Sequence, residues 1–367
     1  MKLRIATYNL NNLFRRPKLL QLAGFSAEAK PVLEDIDQLT TLLARDNYTG
    51  STGQAIVALL TKYGFASGKG NPWFDLNQAK GKLFSVSKQK VLSLKVAGRG
   101  DWIGWVELTS ESVDDEATRN TGRVIAAVQA DLLGVVEAES RPALERFNDQ
   151  VLKPQHGDFP HTLLVDGNDP RGIDVGLYSR HEIRSVRSHV DDSYKDKAGH
   201  AHTIFSRDCP EYEIALPGNK TLWWLANHFK SQGYGTPQGN DARRLKQTTR
   251  VREILARYDL KKDWVVVAGD FNADPKNASL KPLLAVPRLH DVFDWAGFAN
   301  QPRWTYHSGK QQLDYLLVSD PVFAAIQAVG IERRGMLVKN EAHFSQVTGP
   351  QNEASDHACV WADISLP

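Results

Sequence analysis

Cysteine is scarce in this chain, with two in 367 residues, Cys209 and Cys359. They lie far apart and belong to no Cys-x-x-Cys pair, which excludes a disulfide framework and a cysteine zinc site. No apolar run is long enough to span a bilayer, and the opening MKLRIATYNL lacks the apolar stretch of an export signal. The default expectation is a cytoplasmic protein without a membrane segment; a secreted protein trimmed of its leader is the alternative. Excess charge is lacking too. The formal net charge is +2, so bulk electrostatics neither demands nor forbids a polyanionic partner. Internal repeats and long low-complexity tracts are absent. What is present is ordinary globular composition, 41% hydrophobic and 24% charged, in a chain long enough for one large or two medium domains.

Leu3–Asn9 reads as a first strand. Residues 15–112 carry the breakers Gly50, Gly53, Gly68, Gly70 and Pro72 and read as an insertion, with a short helix near Leu33–Arg45 and a small β-element near Lys82–Leu108. Between Lys62 and Arg99 lie eight Lys or Arg and one acid, Asp75, with Trp73, Phe74, Phe84, Trp102 and Trp105 within or beside the stretch. Acids at the start of Asp114–Ala130 suit a helix N-terminus, and Val124, Ile125 and Val128 supply its apolar face. Asp131–Glu139 (DLLGVVEAE) follows as a buried strand. A helix near Pro142–Val151 comes next, then strands at His161–Val165, Ile173–Tyr178, Glu211–Leu216 and Thr221–His228. A helix at Asp241–Tyr258 precedes the apolar run that ends in GDFNAD, and Leu313–Val318 and Ala358–Ile364 complete the strands. Many strands with helices between them imply a layered α/β domain, two sheets covered by helices, without an internal boundary.

The apolar strands share polar ends. Asn9 and Asn11 close the first, Glu137 the second, and Asn227, His228 and Lys230 the third. Asp270 and Asn272 close the fourth, and Ser355, Asp356 and His357 precede the last. Asp314 interrupts the apolar QLDYLLVS. Each has an ordinary structural explanation: Asx-turns at Asn9 and Asn11, a solvated end at Glu137, a cap at Asp356, a paired buried acid at Asp314, turn chemistry at Asp270 and Asn272. Their repetition is harder to explain that way, because polar groups buried without partners cost kilocalories each. Asp270 and Asn272, two apart, point to one side, whereas Asp274 before Pro275 reads as a turn residue. Periodicity does not separate Glu137 from Glu139, also two apart.

With TYNLNN, ADLLGVVEAES, RGIDVGLYSR, FSRD, NHFKS, VVVAGDFNADP, QLDYLLVS and SDHACVWADI in this order, the chain resembles the endonuclease/exonuclease/phosphatase superfamily. That superfamily includes pancreatic-type deoxyribonucleases, apurinic/apyrimidinic endonucleases, neutral sphingomyelinases and inositol-polyphosphate phosphatases; RGIDVGLYS and NHFKSQG are nearest its bacterial predicted-nuclease branch. The resemblance implies a four-layered α/β sandwich of two packed mixed sheets flanked by helices; the insertion at residues 15–112 departs from it, being much longer than the family's usual connection after the first strand. It implies phosphodiester hydrolysis and one domain over residues 1–367.

Residue by residue, the resemblance makes Glu137 the main metal carboxylate, with Asn11 and Asp356 nearby. Asp270 would orient or deprotonate the attacking water, and Asn9 and Asn272 would hold phosphoryl oxygens or metal-bound water. His357 would bond a phosphoryl oxygen, its tautomer set by Asp314. His228 would contact the phosphate from the other side, with Asp166 as a candidate to orient it. Arg207 and Arg171 are candidate phosphate clamps or else surface ion-pair formers; Asn227 and Lys230 are further phosphate-binding candidates. Carboxylate and amide ligands favour Mg²⁺ or Mn²⁺ over zinc, with Ca²⁺ as a supporting ion. Nucleic acid is the expected substrate, and no stable protein partner is implied. The alternatives are a small phosphorylated metabolite, a phosphoinositide or sphingolipid head group, or a non-catalytic binding protein on the same fold. Basic residues interleaved with aromatics in the insertion suit backbone contact and base stacking; lysines alternating with apolar residues also describe the outer face of a hairpin. WIGWVEL at Trp102–Leu108 reads as a buried strand rather than an exposed apolar loop.

Overall fold

Strands rich in Val, Leu, Ile and Trp, with apolar side chains on both faces, form the two large sheets of this protein. The computed structural model describes residues 2–17, 29–68, 71–169, 172–233 and 235–366. They form two compact units: Met1–Phe14 with Val113–Gln232 and Pro237–Pro367, and Arg15–Ser112 with Gly233–Thr236.

The first unit contains two six-stranded mixed sheets. Their strands, in chain order, are β1 (Lys2–Asn9), β2 (Leu132–Ala138), β3 (His161–Leu164), β4 (Asp174–Ser179), β5 (Ile183–Arg187), β6 (Glu211–Leu216), β7 (Lys220–His228), β8 (Trp264–Asp270), β9 (Leu289–Asp291), β10 (Asp314–Ser319), β11 (Ile326–Glu332) and β12 (Cys359–Ser365). One sheet has the order β11-β12-β1-β2-β4-β3, the other β5-β6-β7-β8-β10-β9. In each, one central pair is parallel, β1 with β2 and β7 with β8, and the other pairs are antiparallel.

Alternation along each strand sets the layers. Ile5, Leu132, Val136, Val175 and Leu177 of one sheet share a core with Ile214, Leu222, Trp224, Val266 and Leu316 of the other. On the first sheet's outer face, Ala6, Tyr8, Leu133 and Val135 pack against Val124, Ile125 and Val128 of α1 (Asp115–Val128) and Leu144 and Phe147 of α2 (Arg141–Phe147). On the second sheet's outer face, Leu225, Val265, Val267 and Leu317 meet Val251, Ile254 and Leu255 of α3 (Pro237–Leu255). This is the expected sandwich of two sheets between helices. Helix α1 begins where its acids implied: the Asp114 carboxylate accepts from the backbone N–H of Glu116 at 2.7 Å and of Ala117 at 3.3 Å.

The edge strands Ile183–Arg187 and Ile326–Glu332 were not expected, since polar residues dilute their alternation. The second unit has its own core, in which Leu33, Leu39, Ile56 and Leu60 cluster with Phe74, Trp102 and Val106. Its first helix is Ala29–Leu43, a turn earlier than expected, and a second, Ser51–Lys62, forms where the glycines read as breakers. Gly53 lies inside that helix for a packing reason: a Cβ there would sit 2.1 Å from the Tyr48 carbonyl oxygen. In WIGWVEL, Trp102, Val106 and Leu108 are buried, but Ile103 and Trp105 face out, so one face of that strand is exposed. Among the described residues no helix is long and apolar enough to cross a membrane.

The two sheets of the first unit approach closely at Gly134, where a Cβ would lie 2.6 Å from the Trp224 ring. Gly134→Val is expected to lower the unfolding free energy by about 1–3 kcal/mol through overpacking. A urea midpoint equal to that of the unmodified protein would show that the sheets have slack at this point.

Candidate active site

The side chains that face the inter-sheet core change character at one end of the strands. On β7, Leu222, Trp224 and Ala226 belong to that core, and the next residue of the same parity is His228. On β8 the series Val266, Ala268 leads to Asp270, and on β10 Leu316 and Val318 share a face with Asp314. On β1, Leu3 and Ile5 lead to Thr7 and Asn9. Register sets these groups side by side: His228 pairs with Asp270 across β7 and β8, and Asp270 pairs with Asp314 across β8 and β10.

Asp270 is the hub. It is buried, and its carboxylate accepts from Asn9 Nδ2 at 3.1 Å, from the backbone N–H of Asn272 at 2.8 Å and from Asn272 Nδ2 at 3.0 Å. His228 Nε2 lies 3.7 Å from Asp270 Oδ2 and 3.7 Å from Glu137 Oε1. His357 Nε2 lies 3.9 Å from Asp270 Oδ2, and its Nδ1 is hydrogen-bonded to Asp314 Oδ2 at 2.7 Å. Burial pushes the Asp270 pKa up to about 7; His357 opposes the rise, while Asp314 and Glu137 add to it. Burial alone would lower the His357 pKa, but the charges of Asp314 and Asp270 outweigh it and hold it well above the usual histidine value.

Short loops hold this arrangement. Asn11 donates its backbone N–H to Asn9 Oδ1 at 3.0 Å, an Asx-turn that turns the Asn9 amide nitrogen toward Asp270. Ser355 Oγ donates to the Asn9 carbonyl at 2.8 Å and accepts from the His357 N–H at 3.0 Å, tying the end of β1 to the Ser-Asp-His turn. Thr305 Oγ1 accepts from the N–H groups of Leu313 and Asp314, each at 3.0 Å.

Glu137 reaches the site by a different route. Leu132 and Val136 face the inter-sheet core, so strict alternation would send residue 137 outward with Leu133 and Val135. The ladder between β2 and β4 instead skips it: Val175 pairs with Val136 and Asp174 with Ala138. Glu137 is the extra residue of a β-bulge with φ +63°, a left-handed conformation unusual for glutamate. Such strain costs on the order of 1–3 kcal/mol. Here it brings a partly exposed carboxylate beside His228. The same bulge separates Glu137 from Glu139, whose Oε1 accepts the Phe14 N–H at 2.7 Å.

The remaining sequence candidates are placed differently. Asn227, on the opposite parity from His228, is buried and donates to the Leu225 carbonyl at 3.2 Å, so it is not brought to this group. Arg207 is buried with Nε 3.0 Å from Asp169 Oδ2, an ion pair that leaves a phosphate-clamp role unsupported. Lys230 is buried, with its N–H donating to Gln247 Oε1 and its carbonyl accepting from Arg244. Asp356 is half-buried beside His357, and Asp166 is exposed. Arg171 lies outside the described residues. Asp274 is a turn residue, accepting from the Asn277 N–H at 2.8 Å and the Lys276 N–H at 3.1 Å. Sequence reasoning missed Tyr306, whose ring centroid lies 4.9 Å from that of His357 and whose backbone bridges it. Only the neighbouring TYHSG, an aromatic and a histidine before QLDY, offered a signal.

Asp270, Asp314 and His357 present ligand atoms within 4.8 Å of one another and could hold a metal ion. Asp314 Oδ1 is buried without a hydrogen-bond partner among the described residues, which fits a cation, but Oδ2 and His357 Nδ1 already bond each other. Glu137 adds a partly exposed carboxylate, and the oxygen-rich set fits a hard divalent ion.

In metal-free protein, Asp314→Asn is expected to lower the His357 pKa, read by titrating its ring protons by NMR. Because the folded value lies above the unfolded value of about 6.5, the pair's stabilisation is complete below that pH and is lost as pH rises through the folded value. The substitution should flatten that slope. An unshifted titration would mean that Asp314 is not the cause.

The endonuclease/exonuclease/phosphatase family profile matches residues 112–357. No curated protein sequence matches the chain. Similar solved structures include truncated TDP2 from Caenorhabditis elegans, at 16% identity and TM-score 0.45, covering 68% of this chain and 91% of that one. An endonuclease/exonuclease/phosphatase from Bacteroides vulgatus aligns at 15% identity and TM-score 0.46, over 68% of this chain and 91% of that one. Another, from Beutenbergia cavernae, aligns at 20% identity and TM-score 0.47, over 69% and 67%. With the profile covering most of its length and its polar strand ends gathered around Asp270, the chain belongs to the endonuclease/exonuclease/phosphatase family, hydrolases of phosphodiester and phosphate-ester bonds.

Proposed function

We propose that this protein is a divalent-metal-dependent phosphodiesterase that cleaves nucleic acid by attack of an activated water on phosphorus. The observation that carries the reading is the buried Asp270 carboxylate, held by three donors and flanked by two histidines. A general base works best when its pKa lies near the operating pH, and about 7 suits Asp270 for taking a proton from water. His357, kept protonated by Asp314, offers an Nε2–H donor to a phosphoryl oxygen, and His228 offers a second from the other side. Asn9 and Asn272 hold Asp270 in one orientation.

Glu137, with Asn11 and Asp356, is the proposed metal site, and its oxygen donors suit Mg²⁺ or Mn²⁺, with Ca²⁺ as a supporting ion. When bound, the ion would neutralise phosphoryl charge and stabilise the leaving oxygen. We read residues 15–112 as an insertion into one catalytic domain.

The test is hydrolysis of plasmid DNA, single-stranded DNA, RNA, a chromogenic phosphodiester and small inositol or sphingolipid phosphoesters, each with Mg²⁺, Mn²⁺, Ca²⁺ or chelator. Asp270→Asn and Glu137→Gln are each expected to lower kcat by about 10²–10⁴-fold, while Glu139→Gln retains turnover. Loss with Glu139→Gln and retention with Glu137→Gln would reverse the assignment. Hydrolysis of the small phosphoesters alone would replace the nuclease reading. No hydrolysis, with a melting temperature indifferent to every ion, would identify a binding protein on this fold.

A further inference from the structure

The second unit contains a hairpin, Phe84–Val86 paired with Leu92–Leu94, whose chemistry the candidate active site does not use. Between Asp75 and Asp101 the chain has six basic residues and no acid: Lys80, Lys82, Lys88, Lys90, Lys95 and Arg99. Arg99 donates to the Gly104 carbonyl at 2.7 Å. The five lysines are exposed, and no carboxylate pairs with them among the described residues.

The hairpin is held in place. Leu83 and Leu92 lie in the second unit's core, with Phe84, Leu94 and Val96 packed against it. The Lys95 N–H donates to the Leu83 carbonyl at 2.8 Å, and Gln78 Oε1 accepts both the Leu83 N–H at 2.8 Å and Trp102 Nε1 at 3.2 Å. At the tip, the Ser87 N–H donates to the Val91 carbonyl at 2.9 Å, and the Lys90 N–H to the Ser87 carbonyl at 2.9 Å. One face is therefore fixed, and the other presents Ser93, Lys95 and the tip lysines to solvent.

We propose that this hairpin binds the phosphate backbone of a polynucleotide through Lys82, Lys88, Lys90 and Lys95, with Lys80 at its base. The occupant follows from charge and reach. Unpaired cations on a rigid element keep their full attraction for an anion. Lys82 precedes the strand Phe84–Val86, Lys88 and Lys90 lie at the tip, and Lys95 follows the strand Leu92–Leu94, so the cations are spread over the hairpin. The strand alone is about 10 Å long, about three phosphates of one duplex strand at ~3.4 Å each, more than a singly phosphorylated metabolite offers. A lipid surface is the weaker match. The exposed apolar residues of the hairpin are Val86 and Val91, 40% and 59% exposed, without the aromatic or leucine side chains that insert into a membrane interface.

The inference rests on the polynucleotide reading of the proposed function, and the experiment separates the two. Binding of fluorescent single- and double-stranded oligonucleotides to the full chain is measured in chelator, so that no turnover intervenes, across salt concentrations. Five phosphate contacts give a log–log salt slope of about −3.5 for single strands and −4.5 for duplex. Lys88→Gln with Lys90→Gln should reduce that slope by about 1.4–1.8 and weaken binding roughly tenfold at low salt. Lys88→Arg with Lys90→Arg should preserve both, which separates charge from fold. An unchanged slope in the glutamine variant overturns the proposal. So does lysine-dependent binding to phosphatidylserine vesicles without oligonucleotide binding. Hydrolysis of the chromogenic phosphodiester by the unmodified protein judges the catalytic reading on its own, whatever the hairpin does.

Discussion

A carboxylate kept out of water is the constraint on which the candidate site depends. Burying Asp270 as a bare anion would cost several kcal/mol. Asn9, the Asn272 backbone and the Asn272 amide offset that cost as donors, and His357 offsets it as a cation. These partners come from three separate stretches of chain, at Asn9, Asn272 and His357. The arrangement therefore exists only when β1, the turn after β8 and the turn before β12 are all in register. The two packed sheets supply that register, and their shared core supplies the driving force.

The same face of the same strands does both jobs. In the middle of β7, β8 and β10 it carries Trp224, Val266 and Leu316; at one end it carries His228, Asp270 and Asp314. This economy has a geometric origin. The inner face of these strands ends at the group around Asp270, so a residue of inner parity at a strand end joins the site without any loop to aim it. Sites on rigid strands also hold their geometry better than sites on loops. Glu137 is the exception, and it needs a backbone irregularity to reach the same place. The backbone strain there lies at a carboxylate beside the two-histidine group, where strain is commonly stored for function.

Much of this was legible without coordinates. The apolar runs gave the strands because alternation and β-branching are local properties. The polar residues closing those runs gave most of the candidate site, because inner parity is countable along a strand. Other features were not legible. Gly53 reads as a helix breaker until the Tyr48 carbonyl is seen against it. Arg207 reads as an available guanidinium until Asp169 is found beside it. Tyr306 has no periodicity to mark it, and only its packing on His357 brings it to notice. Each of these depends on a contact with a residue distant in sequence or on the opposite side of a turn.

The sequence by itself determined the inventory: an α/β chain with amides, acids and histidines at the ends of its most apolar strands, and a basic stretch without acids in its long insertion. Tertiary structure alone decided which of two glutamates two residues apart belongs with the histidines. A β-bulge is a mismatch between paired strands, so β2 cannot declare it without β4. It also decided that Asp314 bonds His357 across 43 residues of chain. Those outcomes follow from strand pairing and sheet packing, which act between segments that the sequence presents only one after another.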